Sequence, residues 1–344
     1  MGSLTQYSGL TTKIRAMKGH LLTKDEYLKL AELSSVSEFV DNLKKYKYYS
    51  EIFADIDSAE VHRGTMEKLL IYGVYKDYGK IYNFANINQR KFLKLYFIRY
   101  EVNLIKRAIS GLNYEDNLSY YDQAEVLFSK YSDIDISSVY NAKNVEGIIE
   151  ALKGTIYFEP LKQVQSYVDP QTFDYAMTLD LFFFKYAWRK RKQFKGSEFK
   201  SVTDSIGSEV DSLNILWIYR AKKYYRLDSA KIYEIIIPVY FRLKKDQVRA
   251  LVEASDYNEF KDIIKKTAFG RYLEDADFDK ENLDRAYKKV IEKLYNKYFK
   301  LDPYSLSAIN SYLYSKQEEV HRLISIAESI RYGYKLDAIA SEII

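Results

Sequence analysis

The chain has 344 residues, with 53 Lys and Arg against 48 Asp and Glu for a net charge of +5, and it has no Cys. Without Cys, disulfide frameworks and thiolate metal sites are excluded, and the charge excess is too mild to mark the whole chain as a nucleic-acid binder. No stretch reaches the roughly 18 to 20 uninterrupted apolar residues of a membrane helix. Leu179 to Trp188 comes nearest and is broken by Asp180 and Lys185.

Only 13 Gly and 4 Pro interrupt the sequence, which favours helices over a turn-rich β fold. Met1 to Tyr7 lacks the charged start and apolar core of a secretory signal. Gly2 stands where a myristoyl group attaches, without the Ser or Thr that completes that signal. The first organised element is Val36, Phe39 and Leu43, apolar positions spaced i, i+3 and i+7 on one helix face. Glu51, Asp55, Asp57 and Glu60 then precede a long aromatic helix predicted from about Ala59 to Asn83, where acids are favoured on electrostatic grounds. Leu69, Tyr72, Tyr75, Tyr78 and Tyr82 form its stripe. A closing helix follows, with Ile98, Val102, Ile105, Ile109 and Leu112 stepping by 4, 3, 4 and 3. The polar stretch Ser110 to Asn117 has turn chemistry and ends this first unit.

The same order returns twice. Val145, Ile148 and Leu152 repeat the first spacing, the aromatic run Leu179 to Trp188 repeats the long helix, and Leu227 to Ser229 marks the next boundary. Tyr257, Phe260 and Ile264 begin a third copy, with Val290, Leu294 and Tyr298 in its long helix. A second marker runs in step: Glu101-Val102, Glu209-Val210 and Glu319-Val320 follow Phe39, Ile148 and Phe260 by 62, 61 and 59 residues. Two markers at near-fixed separation predict a triplication. Its units are 1–115, 116–226 and 227–344, packed as one all-α body because no Gly/Ser linker separates them. The repeated glutamates read first as residues that cap or start three equivalent helices, and second as the lining of a shared groove.

Charge is unevenly placed inside the second unit. Residues 116–184 hold 4 bases and 11 acids, whereas 185–226 hold 11 bases and 4 acids. The densest run is Arg189, Lys190, Arg191 and Lys192, continued by Arg220, Lys222, Lys223 and Arg226. It has the chemistry of a solvated helix end, of a docking patch for an acidic protein surface, or of a site for phosphate or lipid headgroups.

Catalytic equipment is sparse. Phosphate-cradling Gly-rich loops, zinc-hydrolase motifs and the Gly and ligand alternation of a Ca²⁺ loop are missing. His20, His62 and His321 are far apart and read as surface or helix-end residues. The expectation is therefore no catalytic, cofactor or metal site. The 35 Tyr and 18 Phe read as core aromatics whose hydroxyls need polar partners.

Three segments then carry a resemblance: Ser8 to Tyr27, Arg99 to Ile109, and, most specific, Ile206 to Tyr225. With the helix Tyr312 to Val320, they resemble the C subunit of V-type (archaeal/bacterial A/V-type) ATPases, the counterpart of the eukaryotic d subunit, over essentially the whole chain. The resemblance implies three helical subdomains arranged as a funnel around a central socket. It also implies a non-catalytic central-stalk rotor part on the cytoplasmic face of the membrane, peripheral and not inserted. Its partners would be the central shaft subunits and the membrane rotor ring, and it would transmit torque for ATP-coupled H⁺ or Na⁺ transport. Under that reading the partner-binding residues are Lys106, Arg107, Arg189, Lys190, Arg191, Lys192, Arg220, Lys222 and Lys223, with Lys106 on a flank beside the apolar Ile105. The alternatives are a helical nucleic-acid-binding or general scaffold protein using the basic segment 185–226, and an all-helical enzyme with clustered acids or a ligand pocket.

Overall fold

The computed structural model describes residues 2–59, 61, 63–112, 126, 128–273, 283–336 and 339–340. Among them the protein is all-α, with no strand. The expected boundary at 115/116, His62 and Glu60 lie outside the described residues. Backbone contacts divide the chain into two compact units, 1–86 with 308–344, and 87–307.

In the first unit, α1 (Gly2–Lys18), α2 (Lys24–Ala31), α3 (Val36–Leu43) and α4 (Lys47–Ile52) precede the long α5 (Arg63–Phe84). Local chemistry starts the short helices. Thr23 and Glu26 form a capping box at α2, and the Ser35 hydroxyl accepts the Glu38 N–H at the head of α3. Phe39 and Leu43, the repeat's apolar positions, are fully buried. This unit is completed by α17 (Leu306–Arg331). Asp77 on α5 accepts the Tyr312 hydroxyl of α17 at 2.6 Å, both residues being buried.

The second unit begins with α6 (Ile87–Gly111) and continues through α7 (Ile136–Asn141), α8 (Val145–Ala151) and α9 (Phe158–Gln165) to the aromatic α10 (Thr172–Lys190). A short 3-10 turn, Arg191–Gln193, leads into α11 (Gly196–Lys223). Then come α12 (Ser229–Ile235), α13 (Lys245–Glu253), α14 (Tyr257–Lys265), α15 (Gly270–Leu273) and α16 (Leu283–Leu301). Asn144 caps α8 and Asp256 caps α14, so all three copies of the first marker are helices that start on a capping side chain. Their inward positions Ile148, Leu152, Phe260 and Ile264 are buried. Each such side chain contributes about 1.5–3 kcal/mol relative to exposure.

Packing runs forward along the chain. Helix α6 packs on α10, the aromatic helix of the following copy, and α11 packs on α16 in the same way. Helix α17 meets α5 through Asp77 and Tyr312.

Candidate docking surface and its buried supports

The repeated glutamates do not start helices. Glu101 lies 14 residues into α6, Glu209 13 into α11 and Glu319 13 into α17, and all three are buried. The capping expectation is corrected on this point: a carboxylate in the middle of a helix has no orphan N–H of its own helix to accept. Its partners come from elsewhere in the fold. Glu101 accepts the Ser132 and Tyr157 hydroxyls. Glu209 forms a two-pronged pair with the Arg99 guanidinium and accepts the Tyr295 hydroxyl at 3.0 Å. Glu319 accepts the Leu22 N–H at 2.6 Å, the Tyr49 hydroxyl at 2.5 Å and the Lys316 ammonium at 2.6 Å.

Each glutamate therefore receives a tyrosine hydroxyl, which accounts for part of the tyrosine content. Burial raises the Glu101 carboxyl above the usual range against the two hydroxyl bonds that favour its charge. Burial works against the Arg99 charge, but Glu209 overcomes it and holds that guanidinium firmly protonated. Burial, then the Glu319 carboxylate, lifts the Tyr49 hydroxyl well above its ordinary value.

The segment Ile206 to Tyr225 acts as a clamp on the chain that follows α12. Gly207 lets Phe241 approach so closely that a Cβ there would stand 2.7 Å from the ring's Cδ1. One turn on, Asp211 accepts the backbone N–H groups of Phe241, Arg242 and Leu243, at 3.2, 2.6 and 2.9 Å. Asn214 brackets Ile237, donating to its carbonyl at 2.9 Å and accepting its N–H at 2.8 Å. Residues 236–244 form no helix, and their backbone is satisfied by these side chains instead. Despite three N–H donors, burial pushes the Asp211 carboxyl up to about 6.

The sequence-predicted docking residues separate into four situations. Lys106 is half-buried and pairs with Asp180 at 2.7 Å, while Arg107 is exposed on α6. Arg191 folds back, its guanidinium 3.5 Å from the centre of the Trp188 ring and donating to the Trp188 carbonyl. Arg189, Lys190 and Lys192 are exposed, the first two with their charges within 5.6 and 5.3 Å of the Tyr186 ring. Arg220 and Lys222 are half-buried at the far end of α11, where Lys222 donates to the Ala254 carbonyl at 2.9 Å. The exposed Lys223 beside them donates to the Tyr219 hydroxyl.

At 1.5 Å per residue, α11 holds its two ends ~40 Å apart. The run that reads as one basic patch in sequence is two patches in space. Asp211 and Asn214 carry structural roles that charge counting missed. Their signal was the run of polar residues Glu209, Asp211, Ser212 and Asn214 set among Val210, Leu213 and Ile215, and all four of those polar residues are buried. Of the histidines, His20 and His321 are exposed, His321 lying 3.2 Å from Glu318.

Comparison with known proteins places these features in context. Residues 10–342 match the family described as ATP synthase (C/AC39) subunit. The C subunit of the A-type ATP synthase of Thermococcus kodakarensis is 24% identical over 342 residues, covering 97% of this chain and 89% of the relative. The corresponding A-type ATP synthase proteins of Pyrococcus furiosus and Methanosarcina acetivorans are each 24% identical, covering 95% and 93% of this chain and 87% of each relative.

Proposed function

This chain belongs to the ATP synthase (C/AC39) subunit family, and on that premise we propose that it is a non-catalytic adaptor of the central stalk. It links the central shaft of the catalytic head to the membrane rotor ring and passes torque between ATP chemistry and H⁺ or Na⁺ movement. It is peripheral to the membrane; among the described residues no helix is long and apolar enough to cross one.

The observation that carries this reading is the three-fold use of a mid-helix glutamate as an internal tie. Glu101, Glu209 and Glu319 are fully engaged by Tyr157, Tyr295 and Tyr49 and by neighbouring donors. Carboxylates held this way resist deformation, which a part that transmits torque requires and an acid or base in turnover does not. The docking cations are Arg189, Lys190 and Lys192, because they are exposed at the end of α10. Lys106 is neutralised by Asp180 and Arg191 is folded onto Trp188. Arg107 is exposed on α6, and Arg220, Lys222 and Lys223 belong to the second patch at the other end of α11, outside this docking site. Exposed ion pairs of about 1 kcal/mol or less each let such a coupling form and separate.

The test is reconstitution of the chain with shaft and ring subunits. Reversing Arg189, Lys190 and Lys192 to Glu is expected to weaken association with one of these partners, more so at low salt. Unchanged assembly removes the cationic docking assignment, and failure of the unaltered chain to join either partner overturns the adaptor reading.

A further inference from the structure

We propose that the cleft at the C-terminal end of α11 binds the phosphate group of a small phosphorylated molecule. The cleft has a volume of about 530 Å³, within the range of small-ligand sites. Lys222, Lys223 and Arg226 line it, against an apolar wall of Tyr219, Tyr257 and Phe260. The carboxylate that also lines it, Asp256, is turned to the first N–H groups of α14, accepting from Asn258 at 2.8 Å and Glu259 at 2.9 Å. Glu259 next to it is held in turn by the Ser255 N–H and hydroxyl, both at 2.7 Å.

Lys222 and Lys223 alone have a sufficient explanation, since cations are favoured at a helix C-terminus. Arg226 does not. It lies beyond the helix, in the left-handed region at φ 49°, where the Leu227 N–H turns back to the Ala221 carbonyl at 3.0 Å. This is the helix-ending position that glycine adopts freely and that a residue with a Cβ resists. The arginine stands there against its conformational preference, its side chain is exposed on the cleft wall, and among the described residues it makes no hydrogen bond or ion pair. Arginine offers a fork of donors matched to phosphate oxygens, and the two lysines add point charges suited to a dianion. The half-buried Tyr257 ring, 5.3 Å from that of Tyr219, leaves a surface for the organic part of the ligand.

This site is independent of shaft and ring docking and is tested on the isolated full chain by titration calorimetry with ADP, inorganic phosphate and citrate. Binding of ADP tighter than inorganic phosphate supports the site with a phosphorylated organic ligand, and equal binding supports it with free phosphate. Citrate binding as tightly as either, or no binding of ADP and phosphate at millimolar concentration, overturns it. Arg226→Gly is expected to lower ADP affinity at least tenfold while raising Tm, because the backbone strain is relieved. An unchanged affinity in that variant also overturns the proposal.

Discussion

The Tyr49 hydroxyl donates to Glu319 at 2.5 Å across 270 residues of chain, tying the first short helices to the last long one. Beside it the Lys316 ammonium, 1% exposed, lies 2.6 Å from the same carboxylate and 3.7 Å from the centre of the Tyr48 ring. Removing the partner of a buried charge costs more than removing one neutral donor. Tyr49→Phe is therefore expected to lower unfolding stability by about 1–3 kcal/mol, and Glu319→Ala by about 3–5 kcal/mol because Lys316 is left uncompensated. Urea denaturation of the two variants checks the order.

Gly207 tests the clamp. A methyl group placed there meets the Cγ, Cδ1 and Cβ atoms of Phe241, the last two at 2.7 and 2.8 Å. Gly207→Ala is expected to cost about 1–3 kcal/mol through overpacking. Adding Phe241→Leu should recover part of that loss, and a double-mutant cycle with a coupling term near zero would show that the contact is not the cause.

Asp211 sets a pH dependence whose sign follows from its raised pKa. An ordinary aspartate titrates near 3.8, and in the fold this one titrates at about 6. Its protonated form is thus the one the fold prefers, so its contribution is full below the unfolded value and is lost as pH rises through 6. A shift of this size corresponds to about 3 kcal/mol. Relative to Asp211→Asn, the unaltered chain should lose about that much stability between pH 4 and pH 7. If it gains instead, the three backbone N–H donors outweigh burial.

Arg191 separates packing from docking. Its guanidinium stacks on Trp188 and burial lowers its pKa. Arg191→Ala is expected to cost about 0.5–2 kcal/mol and to alter tryptophan fluorescence. Partner association should remain as in the unaltered chain, in contrast to reversal of Arg189, Lys190 and Lys192.

Much of this architecture was legible before any coordinates. Apolar spacing at Phe39, Ile148 and Phe260 identified three helices, though not their capping residues, because burial of one helix face dictates that spacing directly. The glutamates were also visible, but their role was not, since a capping and a mid-helix carboxylate look alike until the helix start is known. Nor could the sequence show that α6 packs on α10 of the next copy. That choice depends on which apolar faces meet across some eighty residues, and both faces satisfy the same pattern. The basic run from Arg189 to Arg226 misled for a simpler reason. Neighbours in sequence are distant in space when a 28-residue helix lies between them.

The first unit draws its helices from two stretches far apart in sequence, 1–86 and 308–344. During synthesis Tyr49 emerges long before Glu319 does, so the first helices must wait, without their buried carboxylate partner, until α17 has been made. The second unit, 87–307, needs no such delay. The first unit is therefore complete only once α17 has been made, and a chain truncated before α17 would lack the buried support for Tyr49.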